Sequence, residues 1–468
     1  MAFNFPASPT VGDTYQQYVW DGEKWVVRAG SGGGGGSGSS PLTTRGDMLY
    51  RNATMDTRLP AGSYSEFLRT GGPTSNPYWS QLPPGGYVYY AADYGVTAGS
   101  AADQSGAMQT LLTQVGTTGG KVVFPAGTIT CLSAVTLSIP ANKAVMIVGQ
   151  GLEVTIFDFP NSHGLTVTFT NVFSLMTMVD MTFVTGKPGS YVGLHLYMAV
   201  AQSYESGNSQ LINVSFRGSD QYGGNFYWVR AIWVNNVSYV NFYNLTVHGG
   251  ANPGGSVLSG VGVLIEGSGG LLPDNVSHSY GVVYNFTNCV FNYIDQGIVY
   301  GKYVQGVTCI QCNFTAVNTG IVSQAGVAGD LDQLVVMASQ FAYRNAGINA
   351  ATKILIANIT GCTFQPVGPN LTAFGGINGI FEAFTFVGNT FINSQSTSTT
   401  YGIVLAAGSQ FGVVSGNVFY GSHGVGVLLQ AGAKNTSVQS NYYFGPTQNT
   451  NPVASVPADA IVIGGGSA

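Results

Sequence analysis

Acid–base chemistry on this chain must come from 20 Asp and Glu side chains spread over 468 residues. Hydrolysis of a glycosidic bond needs two carboxylates about 5–10 Å apart. Eliminative cleavage needs a base near the acidic carbon of a sugar and a cation for its carboxylate. Carboxylates and aromatics gather in one stretch, where Glu205, Asp220, Glu266 and Asp274 stand among Tyr222, Phe226, Tyr227, Trp228, Arg230, Trp233, Tyr239 and Tyr243. Rings beside carboxylates suit a sugar groove. Asp220 and Glu266 are the candidate catalytic pair, and Tyr222, Tyr227, Trp228 and Trp233 the candidate glycan-binding residues. The plainer reading of those rings is core or subunit contact, and Arg230 shares the inward parity of Ile232.

Other reactive side chains have structural readings. Asp295 stands where later repeats carry Asn318 and Asn345, and reads as a turn residue tolerating a left-handed backbone. Asp180 aligns with Asn213, Asn244 and Asn288 in the same way, and Asp330 and Asp332 lie in a Gly-flanked loop. The histidines at 163, 195, 248, 278 and 423 are too scattered to argue a triad. Cys309 and Cys312 have the spacing of a metal-ligand pair, but no second pair or nearby His completes a zinc site. With Cys289 and Cys362 they read as buried thiols, and no metal or cofactor is expected.

The element that must position all of these is a repeat. A small or polar residue, any residue, then an aromatic recurs at Cys289-Val290-Phe291, Cys312-Asn313-Phe314, Ser339-Gln340-Phe341, Cys362-Thr363-Phe364, Asn389-Thr390-Phe391, Asn417-Val418-Phe419 and Asn441-Tyr442-Tyr443. Successive aromatics are 23, 27, 23, 27, 28 and 24 residues apart. A second phrase follows each, glycine then a β-branched residue, as in Gly297-Ile298, Gly320-Ile321 and Gly347-Ile348. Weaker copies lie around Phe183, Phe216 and Val247, where the spacing swells to 33, 31 and 44 residues. Such swellings become loops on one face of a solenoid, often the binding face.

The period marks a solenoid and the alternation within each phrase marks strand, so the fold expected is an all-β parallel β-helix. The residue two before each aromatic then points inward and stacks on its equivalents, and an Asn ladder satisfies its own amides there. After the glycine, Ile298, Ile321 and Ile403 face the core, which turns Val299, Val322, Val404, Leu428 and Val462 outward. An apolar outward column implies a cover, either copies of the chain or a loop of its own. The outward position before the aromatics reads Ser215, Thr246, Asn313, Gln340, Thr363, Thr390, a wet face suited to glycan hydroxyls.

Composition supports this. Only 7% of residues are charged, 12% are aromatic, and 67 are Gly. A net charge of −5 without a Lys/Arg cluster argues against nucleic acid or an anionic membrane as partner. No apolar run approaches the ~18 residues of a membrane span, and the start, MAFNFPASPT, is not a signal peptide.

In chain order, residues 1–29 form a small module whose Trp20-Asp21-Gly22 marks a hairpin. A Gly/Ser linker occupies 30–41, and a second small module 42–85. Arg45-Gly46-Asp47 reads as a turn before Met48-Leu49-Tyr50 rather than an integrin motif. The β-helix occupies 86–445, and 446–468 is a C-terminal tail. Asp103 can cap a helix from about Gln104 to Val115, closing the open apolar end of the solenoid.

The segment 92–139, with its Asp-x-Gly, short helix and Pro-Ala-Gly-Thr, resembles the opening of the pectate-lyase-like right-handed β-helix superfamily. The modules FPASPTVGDTY…WDGEKWV and PLTTRGDMLY…YWSQLP resemble small modules of bacteriophage tail fibres and related virion appendages. The resemblance implies a virion protein made in the host cytoplasm, commonly a homotrimer, attached by its N-terminus to other virion proteins. It implies work on bacterial surface glycan, as a receptor-binding fibre or as a depolymerase tailspike, or else a place as a head decoration fibre. It does not specify a chemistry, because the superfamily holds lyases, hydrolases, epimerases and non-catalytic binders.

Overall fold

A computed structural model describes residues 8–15, 18–27, 47–51, 56–61, 66–70, 76–81, 87–171, 173–199, 209–220, 224–251, 258–267, 281–301, 303–324, 333–367, 375–394, 401–421, 425–444, 453–454 and 461–463. The linker 30–41 and nearly all of the tail 446–468 lie outside them. The chain divides into two units, Met1–Leu82 and Pro83–Ala468.

In the first unit, Thr14–Tyr15, Tyr18–Trp20 and Trp25–Val27 make a small antiparallel sheet. Its turn is the expected one: Asp21 Oδ1 accepts the N–H groups of Glu23 and Lys24, and Gly22 has φ 110°. Two further hairpins pair Met48–Arg51 with Asp56–Leu59 and Glu66–Thr70 with Pro77–Gln81. Asp47 accepts Arg58 Nε at 2.7 Å and the Ala61 N–H at 3.1 Å, so its carboxylate is sealed and offers nothing to an integrin.

The second unit opens with Val88–Tyr90 and helix α1, Ser105–Thr118, which lays Met108, Leu111, Leu112 and Val115 on the first coils. Asp103 acts one residue outside the cap, accepting the Ser105 N–H at 2.9 Å and the Leu132 N–H at 3.0 Å. The helix start is thereby tied to the first coil. Val88–Tyr90 and the strands after the helix form a single ladder of 32 strands among the described residues, with long-range pairs all parallel. Each coil has three strands, here called aromatic, glycine and third.

Both phrases of the repeat have one physical cause. The aromatics pair in register from Phe157 through Phe183, Phe216, Val247, Phe291, Phe314, Phe341, Phe364, Phe391 and Phe419 to Tyr443. From Phe291 onward the rings stack face to face at 4.6–5.1 Å. Each ring also lies on the glycine of the coil before: a Cβ on Gly347 would sit 2.5 Å from Phe364 and 2.7 Å from the Gly376 carbonyl. Small size is what that glycine supplies.

The inward polar column behaves as the sequence indicates. Asn389 and Asn417 each donate from Nδ2 to the next asparagine's Oδ1 at 3.0 Å and to a carbonyl of the previous coil at 2.9 Å. Cys289, Cys312 and Cys362 hold the same place upstream, donating from Sγ to Phe242, Phe286 and Val336 carbonyls. The corner between third and aromatic strands is one left-handed residue, at Asp180, Asn213, Asn244 and Asn288, and later at Gln311, Ala338 and Gly361.

Several expectations are corrected. Asp295 is not left-handed; that backbone falls two residues earlier, at Tyr293 and Ala316. Asp295 instead accepts Asn318 Nδ2 at 2.6 Å. Arg230 points outward, its guanidinium 4.7 Å over the Trp233 ring. Strand alternation is broken at Ala231, which the ladder skips and which is buried beside Ile232, so parity counted across it fails. Val299 and Val322 do face away from the core, but with Leu264 they form a second buried cluster within one chain. Ser215 is buried, unlike the half-exposed Thr246, Asn313, Thr363 and Thr390 of its column.

Candidate functional site

Asp220 closes a loop. Its carboxylate accepts the N–H groups of Asn225 at 2.5 Å and Phe226 at 3.2 Å. Glu266 ends a glycine strand and accepts Trp233 Nε1 at 2.9 Å. That strand pairs along Arg230–Asn235, and Glu266 meets Asn235 at its far end while Asp220 precedes its near end. Five residues at about 3.3 Å each put a strand length of roughly 17 Å between those ends. The structure does not bring the two together as an acid–base pair.

The four candidate rings fare differently. Trp228 is 2% exposed in the core, with Nε1 on the Phe183 carbonyl, so no glycan reaches it. Tyr227 is wedged between coils, where a Cβ on Gly189 or Gly250 would come within 2.6 or 2.2 Å of it. Trp233 is half-buried, stacked on His195 at 4.3 Å and covered by Arg230. Tyr222 lies outside the described residues, as do Glu205 and Asp274.

A different set of reactive groups does meet. The position just after each aromatic points outward, and over five coils it carries Asp158, Val184, Arg217, His248 and Asn292. Coil spacing of about 4.8 Å makes this column roughly 19 Å long. Arg217 Nε lies 3.0 Å from Glu153 Oε1, its Nη2 2.5 Å from Oε2, and its Nη1 donates to the Gly218 carbonyl at 2.9 Å. Glu153 reaches the column from a tight turn with a left-handed backbone, φ 58°, and its N–H donates to Thr182 Oγ1 at 3.0 Å. A non-glycine residue in that conformation stores strain that the surroundings must hold.

Burial tunes the group. Burial raises the Asp158 carboxyl above the ordinary carboxylate range, with Arg217 pulling it partly back. Its Oδ1 is buried without a hydrogen-bond partner, as is Asn292 Oδ1. His248 is only 8% exposed although it faces away from the core. Its imidazole is pushed down to about 4, first by burial, with Arg217 adding to the fall and Glu153 opposing it. The column thus offers a carboxyl that burial makes a weaker acid than usual, an ion-paired carboxylate and a neutral imidazole. Carboxyl groups in such unlike surroundings can divide donor and acceptor roles. Among the described residues no group of three or more His, Cys, Asp or Glu could hold a metal.

The sequence carried a signal for this column. Arg217 and Asn292 follow Phe216 and Phe291 by one residue, His248 follows Val247 at the same repeat position, and Asp158 follows Phe157 two coils before Arg217. Reading only the position before the aromatics passed over it. A separate cleft of ≈ 410 Å³ lies beside Lys121 and Lys143 at the end of α1, and no carboxylate lines it.

Compared by sequence, the chain matches no protein family and no curated protein. Compared by structure, it resembles the A-modules of the Azotobacter vinelandii mannuronan C-5 epimerases AlgE4 and AlgE6. Their TM-scores are 0.57 and 0.53 at 16% and 15% identity, over 80% and 81% of this chain and 100% and 99% of theirs. It also resembles tailspike protein 3 of bacteriophage CBA120, at TM-score 0.54 and 14% identity, over 84% of this chain and 66% of that one. The chain is a parallel β-helix protein. More narrowly, its β-helix is of the kind shared by this tailspike and the epimerase modules, a likeness of fold.

Proposed function

We propose that this chain is a bacteriophage virion appendage subunit that binds bacterial surface polysaccharide. The observation that carries the reading is the outward column of Asp158, Arg217, His248 and Asn292 with Glu153, set on a sheet whose neighbouring outward positions are hydroxyls and amides. A sugar chain running along the coils would meet a polar side chain at four of the five, Val184 being the exception. In this reading residues 1–29 dock on other virion proteins and the β-helix reaches the host surface.

A second reading, depolymerase, has one specific support: two carboxyl groups in unlike environments, Asp158 and Glu153, flank Arg217. The test is to incubate the full chain with capsular polysaccharide and O-antigen from candidate hosts. Size-exclusion chromatography reads chain length, and ultraviolet absorbance reads any new double bond. Binding that Glu153→Gln and Asp158→Asn weaken at least tenfold is the expected result. Shortening of the polymer abolished by either substitution would establish the depolymerase, and neither binding nor shortening on any host glycan would sink both readings.

A further inference from the structure

The cleft of ≈ 410 Å³ beside the end of α1 is built by consecutive coils. Lys121, Met146 and Thr177 line it in register, one per coil, on the outer side of the third strands. Asn142 and Lys143 enter from the turn before the strand Ala144–Val148, where Asn142 holds a left-handed backbone, φ 58°. The Lys143 carbonyl accepts the Leu175 N–H at 2.9 Å, and a Cβ on Gly119 would lie 3.6 Å from Lys143 Cδ, so the stem of that lysine is laid against the helix end. Both lysines are half-buried. Among the described residues neither ammonium has a hydrogen-bond or ion-pair partner, whereas Arg58, Arg217 and Lys353 each hold a carboxylate.

We propose that this cleft binds a carboxylate-bearing residue of a saccharide. Charge selects an anion, since two ammonium groups line the cleft and no carboxylate does. The macrodipole of α1 places about half a negative charge at its C-terminal end, which two full positive charges outweigh. That same end works against a dianion, and it lacks the free N–H groups with which helix N-termini and backbone nests cradle phosphate. Size and lining select a sugar over a bare ion. The volume falls within the ~300–1,000 Å³ of small-molecule clefts, Met146 and Leu175 give a partly exposed apolar floor, and Asn142 and Thr177 give polar partners. Beyond the cleft the column continues from Thr177 through Gln210, Asn241 and Asn285 to Thr308. At about 4.8 Å per coil that is roughly 19 Å of amides and hydroxyls for a chain leaving the cleft. This site stands apart from the aromatic-face column, which occupies a different strand of each coil. The plainer role of the two lysines, neutralising the end of α1, predicts no sugar binding.

The experiment is calorimetric titration of the full chain with a tetrasaccharide of uronic acid residues and with its counterpart reduced at the carboxylates to neutral hexoses. Wild type is expected to bind the uronate at least tenfold more tightly than the neutral sugar, and to lose affinity as salt is added. Lys121→Gln/Lys143→Gln is expected to weaken uronate binding at least tenfold with unchanged far-ultraviolet circular dichroism. Should the double variant misfold, Thr177→Trp, which fills the cleft and leaves both charges, is expected to weaken it as much. No uronate binding, or equal affinity for the neutral sugar, would overturn the proposal. So would a folded double variant or a folded Thr177→Trp that binds as wild type does. Acetate or inorganic phosphate binding as tightly as the uronate would overturn it too, leaving a site for bare anions.

Discussion

His248 turns its imidazole away from the core and still stays almost dry, and that has a measurable cost. Its folded pKa of about 4 lies below the unfolded value of about 6.5. Between those two the unfolded chain binds the proton and the folded chain does not, so stability falls as pH drops from 6.5 toward 4. His248→Asn is expected to flatten that part of a urea-midpoint-against-pH curve; an unchanged slope would show that the imidazole titrates freely. Asp158 acts with the opposite sign. Its folded pKa is raised, so the folded state holds the proton more tightly and the carboxylate form costs stability at neutral pH. Asp158→Asn should therefore be more stable than wild type at pH 7 while weakening glycan binding, a gain that vanishes below the unfolded pKa of the carboxyl.

At the scale of the element, ladder and ring stack make separate demands. Asn417 holds Asn389 on one side and Asn441 on the other, so Asn417→Ala leaves buried donors and acceptors unpaired on both. The expected loss is about 2–4 kcal/mol by chemical denaturation, more than one hydrogen bond is worth. Gly347→Ala is expected to cost a similar amount, because its methyl would meet a ring and a carbonyl that cannot both retreat. These elements were legible beforehand: aromatic register, inward amides and the capping helix all follow from spacing and alternation. The site was much less so. Its members are distributed over five coils, one residue apiece, and Glu153 comes from a turn that belongs to no phrase. Trp228 shows the reverse error, since a ring next to carboxylates in the sequence lies in the core just ahead of the strand Arg230–Asn235.

At the largest scale, the second unit is a one-dimensional stack in which each coil touches only its neighbours. Damage should therefore stay local. In Asn417→Ala, amide exchange is expected to accelerate across the coils between Phe384 and Tyr443 and to remain unchanged between Val122 and Phe216. Uniform acceleration along the axis would show that the unit unfolds as one block. Within that stack Cys131, Cys289, Cys309, Cys312 and Cys362 are all buried and unpaired. Burial lifts the Cys131 thiol to about 12 and the Cys362 thiol to about 11, away from the thiolate that attacks disulfides, whereas hydrogen bonds with Cys289 and Cys309 draw Cys312 down while burial raises those two partners. These thiols serve as packing atoms, not as cross-links. While the coils stay closed, moving between reducing and oxidising surroundings should leave the covalent structure of this unit unchanged.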